Sequence, residues 1–282
     1  MFRALGRVLA GLSVSLTLAG GVMAETKPSV AELGATPKSF LFVGNSFYYY
    51  NNSMHSYFIE LVRAGDREHA RQYRATSATI SGSGLNWHDM EGYFNAGMAS
   101  YSFDENNKVT FNKFEKPFEV VIMNDCSQCP IHPELSGLFR EYAKKHSDTV
   151  RKHGAIPVLF MTWAYQDKPE MTDQLAEAYT LVGNENNVLV IPAGLAFAGA
   201  LKKRPDLVMY QKDKRHPSLI GTYLGAATIY SALYGKPVNG APAVPGIDAE
   251  LAGFLQNVAW ETTQQYYSRK RADMPEFRAQ PR

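Results

Sequence analysis

The sequence predicts an α/β protein, a three-layer α/β/α sandwich around a central, mainly parallel sheet of five strands. Three observations carry the prediction. Short, mostly apolar runs of four to seven residues recur along the chain, too short for buried helices and rich in β-branched and aromatic residues. Between them lie longer stretches with apolar residues three and four apart, the spacing of a helix. Strands that alternate with helices in this way form parallel sheets covered on both faces.

The elements follow in order. Ser39 to Val43 reads as the first strand, with Gly44 as its breaker, and a helix runs from about Ser53 to Ala64 on Met54, Tyr57, Phe58, Leu61 and Val62. Gln72 to Ile80 is a second strand ending in Ser81-Gly82-Ser83-Gly84, and Trp87 to Phe94 carries a weaker helical pattern. Residues 95–115 are polar and aromatic without a period and read as an insertion over the sheet edge or the site. Phe118 to Met123, Pro157 to Trp163 and Val188 to Ile191 are further strands. Glu134 to His153, Met171 to Asn184 and Ala193 to Lys203 are helices. The last helix runs from Pro217 to Tyr234, with proline at its first position, one apolar face and Gly235 at its end. No internal repeat or linker divides the chain, so residues 25–282 are expected to form one domain.

Residues 1–24 read as a secretory signal peptide. Arg3 and Arg7 precede an apolar run from Leu9 to Gly20, and Val22-Met23-Ala24 fits a small-x-small cleavage site. The run falls short of the roughly 20 residues of a spanning helix, so no membrane anchor is expected. Removal of this segment takes the net charge from +2 to zero, which leaves no electrostatic footprint for nucleic acid. The basic cluster Ser268 to Arg271 reads as the start of a polar, frayed tail. Cys126 and Cys129 are the only cysteines; an exported chain would hold them as a local disulfide or as two quiet thiols. A redox pair lacks the small thioredoxin-like unit around it, and zinc would need four ligands where only His132 follows nearby.

Two stretches carry chemistry. Ser46 follows the first strand at the sheet edge where α/β proteins bind ligands, and backbone N–H groups at a strand-to-helix handover suit a developing oxyanion. Asp213 precedes His216 by three residues, so one turn can fold the carboxylate onto the imidazole and fix its tautomer. Both stretches lie at handovers on one sheet edge, so a serine nucleophile and its base can meet there. The other six histidines, at 55, 69, 88, 132, 146 and 153, stand in polar or helical contexts that favour the surface.

With those residues in view, Val43-Gly44-Asn45-Ser46-Phe47 resembles the first motif of the SGNH, or GDSL, hydrolases, with Asn45 where Asp is usual. Asp213-Lys214-Arg215-His216-Pro217 is similar to that family's last motif, and Ile80-Ser81-Gly82 to its second. The usual Gly-x-Asn-Asp third motif is missing; Asn124-Asp125-Cys126-Ser127-Gln128 stands in its place. Together with Met161-Thr162-Trp163-Ala164-Tyr165, these features resemble a branch of the superfamily with Gly-Asn-Ser-Phe in its first motif. The resemblance implies a flavodoxin-like sandwich and ester hydrolysis without metal or organic cofactor. It implies Ser46 as nucleophile, His216 as base and Asp213 as its partner. It implies an oxyanion hole from the Ser46 and Gly82 N–H groups and a side-chain amide, Gln128 or alternatively Asn124.

The expected partner is a small-molecule ester, an acetylated carbohydrate among the candidates. Asn45, Tyr48 and Trp163 are the candidate substrate contacts; Tyr49, Tyr50, Trp87 and Tyr165 also fall near the site loops, where rings can stack on sugars or wall an acyl pocket. An acyltransferase on the same site and a non-catalytic binding module of the same fold are the alternatives, and export would place the protein in a periplasm or outside the cell.

Overall fold

The computed structural model describes residues 26–95, 97–238 and 244–268. The leading segment 1–24 and the tail beyond Ser268 lie outside them. Five parallel strands form the central sheet: β1 (Ser39–Gly44), β2 (Arg74–Thr79) and, after a small hairpin of β3 (Tyr101–Phe103) and β4 (Val109–Phe111), β5 (Val120–Met123), β6 (Ile156–Phe160) and β7 (Leu189–Ile191). Their spatial order is β2-β1-β5-β6-β7. Counted along the main sheet alone this is 2-1-3-4-5, the doubly wound order whose direction reverses beside β1.

Side chains alternate across the strands and so fill two cores. Phe40 and Phe42 of β1, Val120 and Ile122 of β5 and Phe160 of β6 face one side, where α2 (Met54–Gly65) packs after the single turn α1 (Ser46–Tyr49). Leu41, Val43, Val121, Met123 and Leu159 face the other, under α3 (Ser136–Lys152) and α4 (Met171–Asn186). The first side also takes α5 (Ala193–Lys203), α6 (Leu219–Tyr234) and α7 (Ala249–Tyr266). The expected three-layer sandwich of five parallel strands is therefore the fold observed.

Four differences from the sequence reading have physical causes. Helix α7 is absent from that reading, although Asp248 caps it by accepting Leu251 N–H at 2.8 Å and Leu255, Val258 and Ala259 are buried. The Trp87–Phe94 stretch is no helix; it holds two 3₁₀ turns, Leu85–Trp87 and Gly92–Phe94. The insertion contains the β3–β4 hairpin, whose large side chains stay exposed, and its approach is to the β2 edge through Thr76 and Ala99. Helix α6 starts two residues late because Pro217 pairs with Tyr210 in a β-bridge and Ser218 takes the cap, accepting Gly221 N–H at 3.2 Å.

Candidate active site

The end of β1 is built for close approach. A Cβ added at Gly44 would stand 1.6 Å from Asn124 Oδ1, so only glycine lets the two strand ends pack here. Asn45 follows as the cap of α1, accepting Phe47 N–H at 3.1 Å. Its amide nitrogen donates to the carbonyls of Ser83 (2.9 Å) and Asp125 (3.0 Å). One side chain thus ties together the Ser46 turn, the loop after β2 and the loop after β5. An aspartate could not donate those two bonds, which gives a physical account of Asn where the related motif has Asp.

Ser46 opens α1 and is 8 % exposed. As the first residue of the turn, its N–H has no partner within the helix. With four residues α1 has little dipole, so this N–H, without a partner among the described residues, is what the turn offers an anion, not a macrodipole. The Ser46 hydroxyl lies 2.8 Å from His216 Nε2. His216 Nδ1 is hydrogen-bonded to Asp213 Oδ2. The other Asp213 oxygen accepts the N–H groups of Arg215 (2.9 Å) and His216 (3.0 Å), with Lys214, between Asp213 and Arg215, at φ +64°. Burial pushes the Asp213 carboxyl up, but the His216 ring and these two N–H groups outweigh it and bring it down to about 2. Asp213 is therefore ionised at any working pH and holds the Nδ1–H tautomer, leaving Nε2 to accept from Ser46.

Gly82 sits in the turn closed by Ser83 N–H to Ile80 carbonyl (3.2 Å), at φ +70°, a conformation glycine adopts without strain. Its N–H has no partner among the described residues. Behind it, Ser83 donates to the Gly44 carbonyl (3.2 Å) and accepts from His88 Nε2 (2.9 Å), while Tyr93 hydroxyl bonds His88 Nδ1 (2.8 Å). Burial, aided by His146, lowers His88 to about 4 against the pull of the Gly44 carbonyl, so it stays neutral. His88 and His146 are buried, not surface residues as their polar neighbours in sequence imply.

The structure separates the two amide candidates. Asn124 is fully buried and donates to Asn45 Oδ1 at 3.4 Å, so it is not available to an oxyanion. Gln128 is exposed, and its amide makes no hydrogen bond among the described residues. Cys126 and Cys129 form a disulfide, with Cα atoms 5.2 Å apart, that brackets Ser127 and Gln128. Ser127 hydroxyl meets Tyr165 hydroxyl at 2.6 Å, and the Arg215 guanidinium lies over the Tyr165 ring at 4.7 Å.

The candidate substrate contacts are corrected. Tyr48 is fully buried, edge-on to Phe42 and Phe160. Trp163 is fully buried between Phe47 (4.4 Å) and Phe197 (4.2 Å), and its indole N–H donates to the Arg215 carbonyl at 3.0 Å. Asn45 is buried and spent on loop carbonyls. None of the three can touch a substrate. The exposed rings around the site loops are instead Tyr49 and Trp87. The sequence reading also missed the contact of Tyr50 with His216, whose rings stack 4.3 Å apart at 7°.

No protein-family model and no curated protein sequence matches the chain. Solved structures do. A DUF4886 family protein from Bacteroides uniformis is 20% identical with a TM-score of 0.53, over 82% of this chain and 96% of that one. A candidate SGNH hydrolase from Slackia heliotrinireducens is 18% identical with a TM-score of 0.50, over 70% and 99%. An acetylxylan esterase from Geobacillus stearothermophilus is 15% identical with a TM-score of 0.49, over 69% and 92%. The strand order, the flanking layers and the first two likenesses agree on the fold: the chain shares the three-layer α/β/α architecture of those two structures.

Proposed function

We propose that the chain is an exported serine esterase that transfers small acyl groups, acetyl foremost, from an ester to water. The observation that carries the reading is the unbroken run Asp213–His216–Ser46, with the base nitrogen 2.8 Å from the hydroxyl it would deprotonate. Ser46 Oγ attacks the ester carbonyl as its proton passes to His216 Nε2. The carbonyl oxygen becomes an oxyanion facing the free N–H groups of Ser46 and Gly82, with the Gln128 amide as third donor. Loss of one such donor costs about 2.7–4 kcal/mol of transition-state stabilisation. The tetrahedral adduct collapses, the alcohol leaves with the proton from His216, and water, activated by the same nitrogen, releases the acid. No step calls for a metal or an organic cofactor.

Two features support the substrate class. The low exposure of Ser46 favours a small acyl group. The exposed rings of Tyr49 and Trp87 fit a sugar as the alcohol. Export is supported by the signal-peptide reading of residues 1–24 and by the disulfide, which an oxidising compartment sustains. Among the described residues no helix is long and apolar enough to cross a membrane.

The test is hydrolysis of p-nitrophenyl acetate and acetylated sugars by the mature chain, its Ser46→Ala and His216→Ala variants, and wild type labelled with a fluorophosphonate. Both variants should lose at least about a thousandfold in kcat/KM with unchanged circular dichroism, and the label should map to Ser46. Substantial turnover by either variant overturns the assignment. Products analysed with sugar acceptors separate hydrolysis from transfer. Fractionation and N-terminal sequencing test export, with Glu25 as the expected first residue.

A further inference from the structure

The segment between α1 and α2 holds an unusual backbone. Asn51, Asn52 and Ser53 have φ of +54°, +66° and +69°, three consecutive residues with positive φ. Non-glycine residues visit this region singly, asparagine most readily, so a run of three persists only where its surroundings dictate it. What dictates it here is the base loop. Asn51 Nδ2 donates to the Pro217 carbonyl at 2.9 Å and to Thr222 Oγ1 at 2.8 Å. Asn51 Oδ1 accepts from Gln211 Nε2 at 3.4 Å, and Gln211 N–H holds the His216 carbonyl at 2.8 Å. The main chain on either side of the His216–Pro217 peptide is thus gripped from the nucleophile's own turn. The same backbone lays the Tyr50 ring flat on the His216 imidazole. Phe47 meets that imidazole edge-on at 5.9 Å.

We propose that Tyr50 and Asn51 are positioning residues for the base. Asn51 fixes the main chain of the His216 loop against the turn that carries Ser46. The Tyr50 ring fixes the imidazole plane and, through its π-face, favours the imidazolium that exists while His216 holds the serine proton. The proton balance is that of acyl transfer: Ser46 Oγ–H to Nε2 on attack, Nε2–H to the leaving alcohol on collapse. The other groups around the ring stay constant when Tyr50 is changed. Asp213 is on Nδ1, Ser46 is on Nε2, Arg215 turns to Tyr165, and Lys214 lies 3.7 Å from Asp167. This role rests on His216 being the base, so its test includes a readout that needs no turnover.

The experiment compares the mature wild type with Tyr50→Leu, Tyr50→Phe and Asn51→Asp. The pH dependence of kcat and KM on p-nitrophenyl acetate is measured beside an NMR titration of the His216 ring. Tyr50→Leu should lower kcat about tenfold to a hundredfold with KM little changed. It should also move the acid limb of kcat/KM, and the NMR midpoint, down by about half a pH unit. Tyr50→Phe, which keeps the ring, should restore both. Asn51→Asp, which still accepts from Gln211 but cannot donate to Pro217 or Thr222, should lower kcat, and the carboxylate it adds beside the base loop should move the midpoint up, opposite to Tyr50→Leu. An unchanged NMR midpoint in Tyr50→Leu overturns the role of the ring even if activity falls. Full kcat in Asn51→Asp overturns the clamp. A shifted midpoint in a chain that hydrolyses nothing would uphold the contact while defeating the esterase reading. If the leucine variant does not fold, Tyr50→Met serves in its place.

Discussion

Asn45 shows how much one side-chain atom can decide. Its amide nitrogen is the sole donor it offers to two loop carbonyls, and those loops carry Gly82 and Gln128. Asn45→Asp changes almost nothing in shape, yet it sets a buried carboxylate against two carbonyl oxygens. Each lost buried bond costs about 1–3 kcal/mol, so the variant should be less stable by roughly 2–6 kcal/mol in urea unfolding, and kcat/KM should fall with it. At this scale the sequence is legible where chemistry sets a spacing. Asp213 and His216 lie one turn apart, and Ser46 follows a strand, so their convergence could be read. The aromatic residues could not, because a ring near a site loop serves a core as readily as a substrate. Tyr48 and Trp163 went to the core and Tyr50 to the His216 ring, on differences of one or two positions.

Among elements, the loops after β2 and β5 are locked by Asp125. Its Oδ1 accepts Leu85 N–H at 3.0 Å and Cys126 N–H at 2.7 Å, and His146 Nε2 holds the Leu85 carbonyl at 2.8 Å. Burial raises the Asp125 carboxyl to about 6, although the two N–H groups pull it down. The sign follows directly. The folded chain binds this proton more tightly than the unfolded one, so the group favours folding most below about pH 4, and that advantage is lost as pH rises through about 6. Asp125→Asn removes the titration. Measured by denaturant unfolding, the variant should gain on wild type by up to about 3 kcal/mol between pH 4 and 7.5, with most of the change between 4 and 6. The strands were legible because β1 and β5 are buried on both faces and read as unbroken apolar runs. Helix α7 carries a cap and an apolar stripe, but Gly253 and the polar stretch after Trp260 dilute the pattern. The 3₁₀ turns and the hairpin are too short to have a period at all.

For the molecule as a whole, the order of the sheet sets where its crevice opens. Winding reverses beside β1, so the crevice at the carboxyl end of β1 and β5 is the open one, and Ser46 stands at it. The fold could be read from alternation alone. The meeting of residues 46 and 216 could be expected from the order of strands, but the hydrogen bonds around them could not, since loop conformations depend on partners distant in sequence. Trp163 joins these scales. It is sealed between two rings, and its indole N–H holds the carbonyl next to the base. Of the three tryptophans, Trp87 is exposed and Trp260 almost wholly covered. Acrylamide should therefore quench Trp87 first. In a Trp87→Phe background, blue emission reports the apolar cage of Trp163, with Trp260 as a steady companion. A red shift that precedes global unfolding would be the optical signature of the His216 loop lifting away, so the chain carries its own fluorescent gauge of whether the Ser46–His216 contact is assembled.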